Sequence, residues 1–102
     1  MSDHPLSTIM SMDPIFMNHL KTTDDLVFSN GALSRKVKLL IALAFDASHG
    51  AVQGVKSLAQ AALKEGATKD EIAEVIRVAY HLNGVGGVYT ASQGLKELFK
   101  IT

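Results

Sequence analysis

The most continuous apolar stretch of the chain covers residues 37–45, where Lys38 is the only charged residue. Its apolar side chains surround a helix on nearly all sides, so the pattern predicts a helix that is buried on most faces. The stretch breaks at residues 48–50. An amphipathic helix over residues 51–65 follows and ends at Gly66, a residue suited to the left-handed conformation after a helix. These two helices are the expected centre of the fold.

The residues after Gly66 carry the signals of another helix start. Thr68 is a favourable N-cap residue, and Glu71 lies three positions later, which is the spacing of a capping box. Apolar residues then recur at spacings of three and four, as on one face of a helix: Ile72, Val75, Ile76, Ala79 and Leu82. The prediction ends this helix at Asn83-Gly84.

The N-terminal part of the chain is predicted as an irregular arm over residues 1–12, followed by a helix that starts at Asp13-Pro14. Asp caps free helix amides, and Pro fits the first helical position. We expect this helix to end at residues 30–31 and to bend or break at Thr22-Thr23, because threonine weakens a helix interior.

The remaining pattern indicates a last helix over residues 88–100 after a tight corner at Gly86-Gly87. No β-like alternation of useful length occurs. The prediction is therefore an all-α fold of five or six helices, with one domain over residues 13–102.

Composition narrows the function classes. Ten basic and ten acidic residues balance, so we expect neither nucleic acid nor a membrane as a partner. No secretory signal is visible, and the longest apolar run is too short to span a bilayer. The absence of cysteine rules out disulfides and thiolate metal sites and favours a cytoplasmic location.

A longer ordered pattern carries a family resemblance. LLIALA, a break, a helix of small residues and then ALKEGATKDEIAEVIRVAYHLNGVGG resemble the carboxymuconolactone decarboxylase and AhpD-like superfamily. The resemblance covers roughly residues 33–99. It implies a helical domain that assembles as a homo-oligomer, commonly a trimer or a hexamer of paired subunits. We expect the interface to use the apolar faces of residues 37–45 and 51–65.

The chain departs from this family at the reactive positions. The thiol peroxidase members carry Cys-x-x-Cys and a later His at positions that correspond here to Ala51, Gly54 and Leu58. A chain without cysteine has no thiolate, so it cannot run a thiol-dependent peroxidase cycle. The decarboxylase branch keeps a His where this chain has Leu58, which leaves the reaction open.

Candidate acid–base chemistry centres on Asp46 and His49, which are three residues apart at the end of the first apolar helix. A carboxylate beside an imidazole can orient it and raise its basicity. The alternative is a structural cap, with His49 at the negative end of the helix. His81 is a third catalytic candidate, and its neighbour Tyr80 is a candidate ligand-binding residue.

The expected ligand pocket lies at the start of the second helix and is bordered by His49, Gly54 and the Tyr80–His81 pair. Gly54 would leave room for a small carboxylate, and Lys56 or Arg35 would pair with it. The alternative is that Leu58 and nearby alanines fill this space. The four histidines show no metal-ligand spacing, and we expect neither a metal nor another cofactor.

The start of the first apolar helix is also unusual in charge. Ser34 is its predicted cap, and three cations crowd its first turns: Arg35, Lys36 and Lys38. Cations are unfavourable at the positive end of a helix unless anions meet them. A carboxylate of another subunit or a bound anion would serve, and the alternative is a solvated basic face.

Three functions remain open from the sequence. The first is a cofactor-independent, decarboxylase-like lyase that uses acid–base chemistry on a small organic acid or lactone. The second is a cysteine-less relative that binds a ligand without catalysis. The third is a structural oligomer. Leu58 counts against the first, and the polar groups near His49 count against the third.

Overall fold

The computed structural model describes residues 6–99, which form six helices and no strand. The helices are α1 (Ser7–Met12), α2 (Pro14–Val27), α3 (Arg35–Ser48), α4 (Val52–Lys64), α5 (Lys69–Asn83) and α6 (Gly86–Leu95). The all-α prediction is thereby confirmed. None of these helices is both long and apolar enough to cross a membrane.

The core forms where α3, α4, α5 and α6 pack together. Its largest fully buried side chains are Leu43, Val55 and Ile72, one from each of α3, α4 and α5. Burying a side chain of this kind stabilises a fold by about 1.5–3 kcal/mol. Small residues fill the rest of the contact area, so the four helices approach closely: Ala47, Ala59, Ala62 and Ala91.

The predicted helix starts are confirmed by their hydrogen bonds. The Asp13 carboxylate accepts from the Phe16 amide at 3.0 Å, and the Ser34 hydroxyl accepts from the Val37 amide at 3.2 Å. Thr68 and Glu71 form both bonds of the capping box. Local signals thus set where α2, α3 and α5 begin.

Glycine makes the turns on both sides of α4. Gly50 and Gly66 have φ values of 76° and 94°, which side chains with a Cβ rarely adopt. The predicted break after α3 and the predicted end of α4 are therefore confirmed.

The N-terminal region differs from its prediction. Residues 7–12 form α1 instead of an irregular arm, whereas residues 1–5 lie outside the described part. The helix that follows is continuous through Thr22-Thr23 and ends at Val27. Thr22 is accommodated because its hydroxyl donates to the Asn18 carbonyl one turn earlier, at 3.0 Å.

The last helix also has different ends. Gly84, with a φ of 96°, makes the corner, and Gly86-Gly87 begin α6. Gly87 is buried, and a Cβ there would lie 3.5 Å from the Ala47 carbonyl oxygen, so the start of α6 packs closely on the end of α3. The helix ends at Leu95, while residue 100 lies outside the described part.

The prediction that the first apolar helix is buried on most faces is wrong within one chain. The side of α3 that faces α4 and the core is buried, but Val37, Ile41 and Phe45 are exposed. These residues recur at spacings of four and form a continuous stripe. In addition, α2 contains no buried residue.

Candidate functional site

The largest groove described lies between α2, α3 and α4 and has a volume of ≈ 970 Å³. Its walls are mainly apolar, with Ile41 and Phe45 on α3 and Leu58 on α4. Four polar side chains also line it: Asp24, Lys38, Asp46 and Ser57. A largely apolar groove with a few convergent polar groups is typical of a small-molecule site.

Helical spacing explains how α3 supplies two of the three charged side chains of the groove. Lys38, Ala42 and Asp46 follow one another at intervals of four residues, which places them along one side of the helix. The ammonium of Lys38 donates to the Ser29 carbonyl at 2.7 Å, so the loop before α3 anchors it. The Cα atoms of Lys38 and Asp46 are separated by about 12 Å along the helix axis.

On the α4 side, Gly54, Ser57 and Leu58 line the groove at spacings of three and four. The Asp46 carboxylate packs directly on Gly54. A Cβ added at Gly54 would overlap the Asp46 Oδ2 and lie 2.8 Å from its Cγ. The space that the sequence analysis reserved for a ligand group is therefore taken by a carboxylate of the chain itself.

The surroundings of Asp46 suit a reactive carboxylate. Gly54 belongs to the first turn of α4, and the start of a helix carries a partial positive charge that favours an anion. Within residues 6–99 the carboxylate has neither a hydrogen bond nor an ion pair, and its side chain is half-buried. Its oxygens are therefore free to accept a proton or a hydrogen bond from a ligand.

Asp46 and His49 do not form the predicted pair. No hydrogen bond or ion pair joins them, and the His49 ring stacks on Phe45 with 6.4 Å between the centroids. His49 lines a separate groove of ≈ 280 Å³ next to α5, with Val78 and Leu82. The two side chains thus face different sides of α3.

The Tyr80–His81 pair was expected to border the ligand pocket, but both residues are exposed. Neither lines the groove at Gly54. His81 lies in the last turn of α5, where a cation is favourable next to the helix dipole. The groove at Gly54 therefore does not have the predicted border of His49, Tyr80 and His81.

The basic candidates Arg35 and Lys56 have carboxylate partners within the chain. The Arg35 Nε lies 3.3 Å from a Glu65 oxygen, and the Lys56 Nζ lies 3.0 Å from a Glu97 oxygen. Neither residue lines the groove. A ligand carboxylate would have to compete with these partners.

A second member of the basic cluster at the start of α3, Lys36, is also paired with a carboxylate. Lys36 pairs with Glu71 at 3.1 Å, and the Thr68 backbone amide donates to the same carboxylate at 2.9 Å. Hydrogen bonds from Thr68 and then from Lys36 lower the pKa of Glu71 below its ordinary value of 4.5. Two of the three helix-start cations, Arg35 and Lys36, thus have carboxylate partners just after α4 and in α5 of the same chain. Lys38 instead donates to a backbone carbonyl.

Sequence reasoning identified Asp46, but it missed Lys38 and Asp24 as groove residues. The spacing from Asp46 back to Lys38, two intervals of four residues, was a usable signal, because the two share one side of α3. No comparable signal existed for Asp24, which depends on how α2 lies beside α3. Within residues 6–99, no cluster of three or more acidic or histidine side chains suits a metal ion.

Comparison with known proteins places the chain by sequence. Residues 14–97 match the carboxymuconolactone decarboxylase family. No curated protein and no solved structure matches the chain. The family match extends from the start of α2 to just beyond α6, and so includes every residue of the groove except Leu6. The chain therefore belongs to the carboxymuconolactone decarboxylase family.

Proposed function

We propose that the protein is a cofactor-independent enzyme that uses acid–base chemistry on a small organic acid or lactone, with Asp46 as the proton-transferring group. The observation that carries this proposal is that an unbonded Asp46 carboxylate and the Lys38 ammonium line the same largely apolar groove. A carboxylate that accepts no hydrogen bond from the chain is available to a ligand. We also propose a cytoplasmic location, in keeping with the absence of cysteine.

The polar groups suggest how such a ligand would bind. Lys38 is suited to the ligand's carboxylate, since it is the cation that lines the described groove. The Ser57 hydroxyl can donate to a lactone or acid carbonyl. Ile41, Phe45 and Leu58 would cover the apolar ring.

The family name suggests decarboxylation of a lactone acid as the reaction. The bond between the ring carbon and the departing carboxylate breaks, its electron pair moves into the conjugated carbonyl system, and CO₂ leaves. A proton then bonds to a carbon of that conjugated system, which uses the electron pair. Asp46 would deliver that proton and recover one from water, to which the groove is open. No redox step and no thiol is needed, which suits a chain without cysteine.

A binding titration tests the proposal. We expect γ-carboxymuconolactone, or a related lactone acid, to shift the amide NMR signals of Lys38, Asp46, Gly54 and Ser57. Lys38→Met should weaken binding by about tenfold or more, since a charged hydrogen bond contributes about 1.5–3 kcal/mol. Lys64→Met, which removes an exposed lysine outside the groove, is the matched control.

The same titration separates the two grooves. Shifts confined to His49 and residues 78–83 would indicate that the ligand binds in the separate groove that His49 lines next to α5. The Asp46 proposal would then be wrong. An absence of shifts with every lactone acid in the panel would reject the proposed substrate class.

The second candidate is a relative that binds a ligand or assembles without catalysis. Two observations favour it: Leu58 lies in the groove at the position where the decarboxylase branch is expected to keep a His, and a large apolar surface is exposed. A lactone acid that binds in the groove but is neither consumed nor deuterated in D₂O would support this candidate over the enzyme.

A further inference from the structure

We propose that the groove between the start of α5 and the end of α6 is a second binding site, which takes a small organic anion with an apolar body. This groove, called the α5–α6 groove, has a volume of ≈ 450 Å³. Small-molecule sites typically have volumes of about 300–1,000 Å³. The α5–α6 groove shares no residue with the groove of Asp46 or with that of His49, so its ligand is independent of the proposed acid–base function.

The α5 wall of this groove comes from one side of the helix. Lys69, Ile72 and Ile76 line it, and intervals of three and four residues keep them on the same side. The capping box of Thr68 and Glu71 fixes where α5 begins, and Lys69 is the first residue of the helix. Ile72, one turn further along, is fully buried. The wall thus combines a cation at the start of α5 with apolar side chains along it.

The α6 wall also combines a cation with apolar side chains. Ser92, Lys96 and Phe99 line it at spacings of four and three. The helix ends at Leu95, but the Phe99 amide donates to the Leu95 carbonyl at 3.1 Å, so the chain continues for one more helical turn. Because α5 and α6 pack against each other and are joined by the corner at Gly84, the start of α5 lies near the end of α6.

The charge of the α5–α6 groove differs from that of the whole chain. Two lysines, Lys69 and Lys96, line the groove and no acidic residue does, although the chain carries ten basic and ten acidic residues. Within residues 6–99, neither lysine has an ion pair or a side-chain hydrogen bond. Two ammonium groups in one groove repel each other, and an anion bound between them would offset that repulsion.

The carboxylates that follow these lysines in the sequence lie outside the groove. Glu71 pairs with Lys36 of α3 at 3.1 Å, and Glu97 pairs with Lys56 of α4 at 3.0 Å. Asp70 does not line the groove either. The two cations therefore lack a counterion in the described part of the chain, and an anionic ligand supplies one.

The rest of the lining determines which kind of anion fits. Most of it is apolar, and the Ser92 hydroxyl and the Gln93 amide can donate hydrogen bonds to an oxyanion. An inorganic anion would use the polar groups alone, and a neutral hydrocarbon would use the apolar walls alone. A carboxylate on a hydrocarbon or aryl body uses both, so this is the class of ligand that the groove accepts.

An NMR titration with octanoate tests the site, and octanamide is the uncharged control of the same chain length. We expect octanoate to shift the amide signals of Ala73, Ser92 and Lys96, and to bind about threefold or more tighter than octanamide. Lys69→Met and Lys96→Met should each weaken octanoate binding by about two- to fivefold, as expected for exposed ion pairs, and should leave octanamide binding unchanged. Lys21→Met is the matched control, because Lys21 is an exposed lysine of α2 outside this groove.

Two substitutions at neighbouring positions of α5 test where octanoate binds. Ala73 is exposed and lines the groove, whereas Glu74 is exposed and does not. Ala73→Trp should fill the groove and abolish the octanoate-induced shifts at Ser92 and Lys96. Glu74→Trp should preserve them.

Several results would overturn this assignment. One is equal affinity for octanoate and octanamide, and another is octanoate binding that neither Lys69→Met nor Lys96→Met weakens. Octanoate shifts confined to the groove of Asp46 or to that of His49 would also overturn it. Binding of phosphatidylglycerol vesicles without binding of octanoate would assign the two lysines to a lipid surface instead, and the proposed site would then be wrong.

Discussion

Gly94 lies where α6 crosses α4, and its replacement by alanine tests the closest contact in the core. Gly94 is buried, and an added Cβ would lie 2.7 Å from the Val55 Cγ1 and 2.8 Å from the Val52 carbonyl oxygen. One of these atoms belongs to the backbone and the other to a fully buried side chain. Neither can move aside unless the two helices separate.

Two opposing effects set the size of the change. Alanine is favoured over glycine inside a helix by about 0.8–1 kcal/mol. Overpacking a core costs about 1–3 kcal/mol, and the two short contacts at Gly94 put this site in the upper part of that range. We therefore expect Gly94→Ala to lower the free energy of unfolding by about 1–2 kcal/mol, or the melting temperature by about 4–8 °C for each kcal/mol.

The matched control is Gly86→Ala at the first residue of the same helix. Nothing lies within 4 Å of a Cβ added there, so the change should be neutral or should stabilise by up to about 1 kcal/mol. Chemical denaturation followed by circular dichroism, at one protein concentration for all variants, measures both. If Gly94→Ala is as stable as wild type, the described packing of α6 on α4 is wrong.

Two further predictions concern titration and the groove. The pKa of Glu71 is lowered in the folded state, so the stabilising effect of the Glu71 carboxylate should be present above pH 4.5 and disappear as the pH falls through the lower folded value. Glu71→Gln should remove this part of the pH dependence of unfolding. Glu74→Gln should not, because Glu74 is on the same helix but has no ion pair within residues 6–99. Gly54→Ala should displace the Asp46 carboxylate that its Cβ would overlap and change lactone-acid affinity, with the shifted Asp46 signal visible by NMR; an unchanged Asp46 signal would contradict the described contact.

Local signals explain why much of the fold is predictable. Ser34 and Thr68 cap their helices with their own side chains, and Gly50 and Gly66 adopt backbone angles that few other residues tolerate. Such signals act over three or four residues, so a sequence displays them directly. The six-residue α1 has no side-chain cap, and its helical state therefore left no comparable signal.

The surface of α3 shows where sequence reasoning stops. Its pattern predicts that apolar residues are buried, but the pattern does not say which of them the chain's own helices cover. Leu39 and Leu43 are buried by the chain's own helices, whereas Ile41 and Phe45 are exposed. All four residues are apolar, so the sequence pattern alone does not distinguish the buried pair from the exposed one.

The candidate site was predictable in part for a similar reason. Residues three apart on a helix, such as Asp46 and His49, differ in direction by about 60°. That angle allows a contact, but here it is enough to point them into two grooves. Lys38 lies on the same helix as Asp46, so the spacing between them could have predicted its place in the groove. The wall formed by α2 depends on long-range packing, which residue spacing does not show.

The most direct test of the proposed chemistry is proton exchange at carbon. The protein is incubated in D₂O with γ-carboxymuconolactone, and with lactone acids that bind but keep their carboxylate, while proton NMR follows the hydrogens beside the carbonyl. We expect exchange or turnover that falls by about 100-fold or more in Asp46→Asn and persists in His49→Gln, with both variants folded by circular dichroism. Exchange that survives Asp46→Asn, or that His49→Gln abolishes, would contradict the assignment of Asp46 as the proton-transferring group.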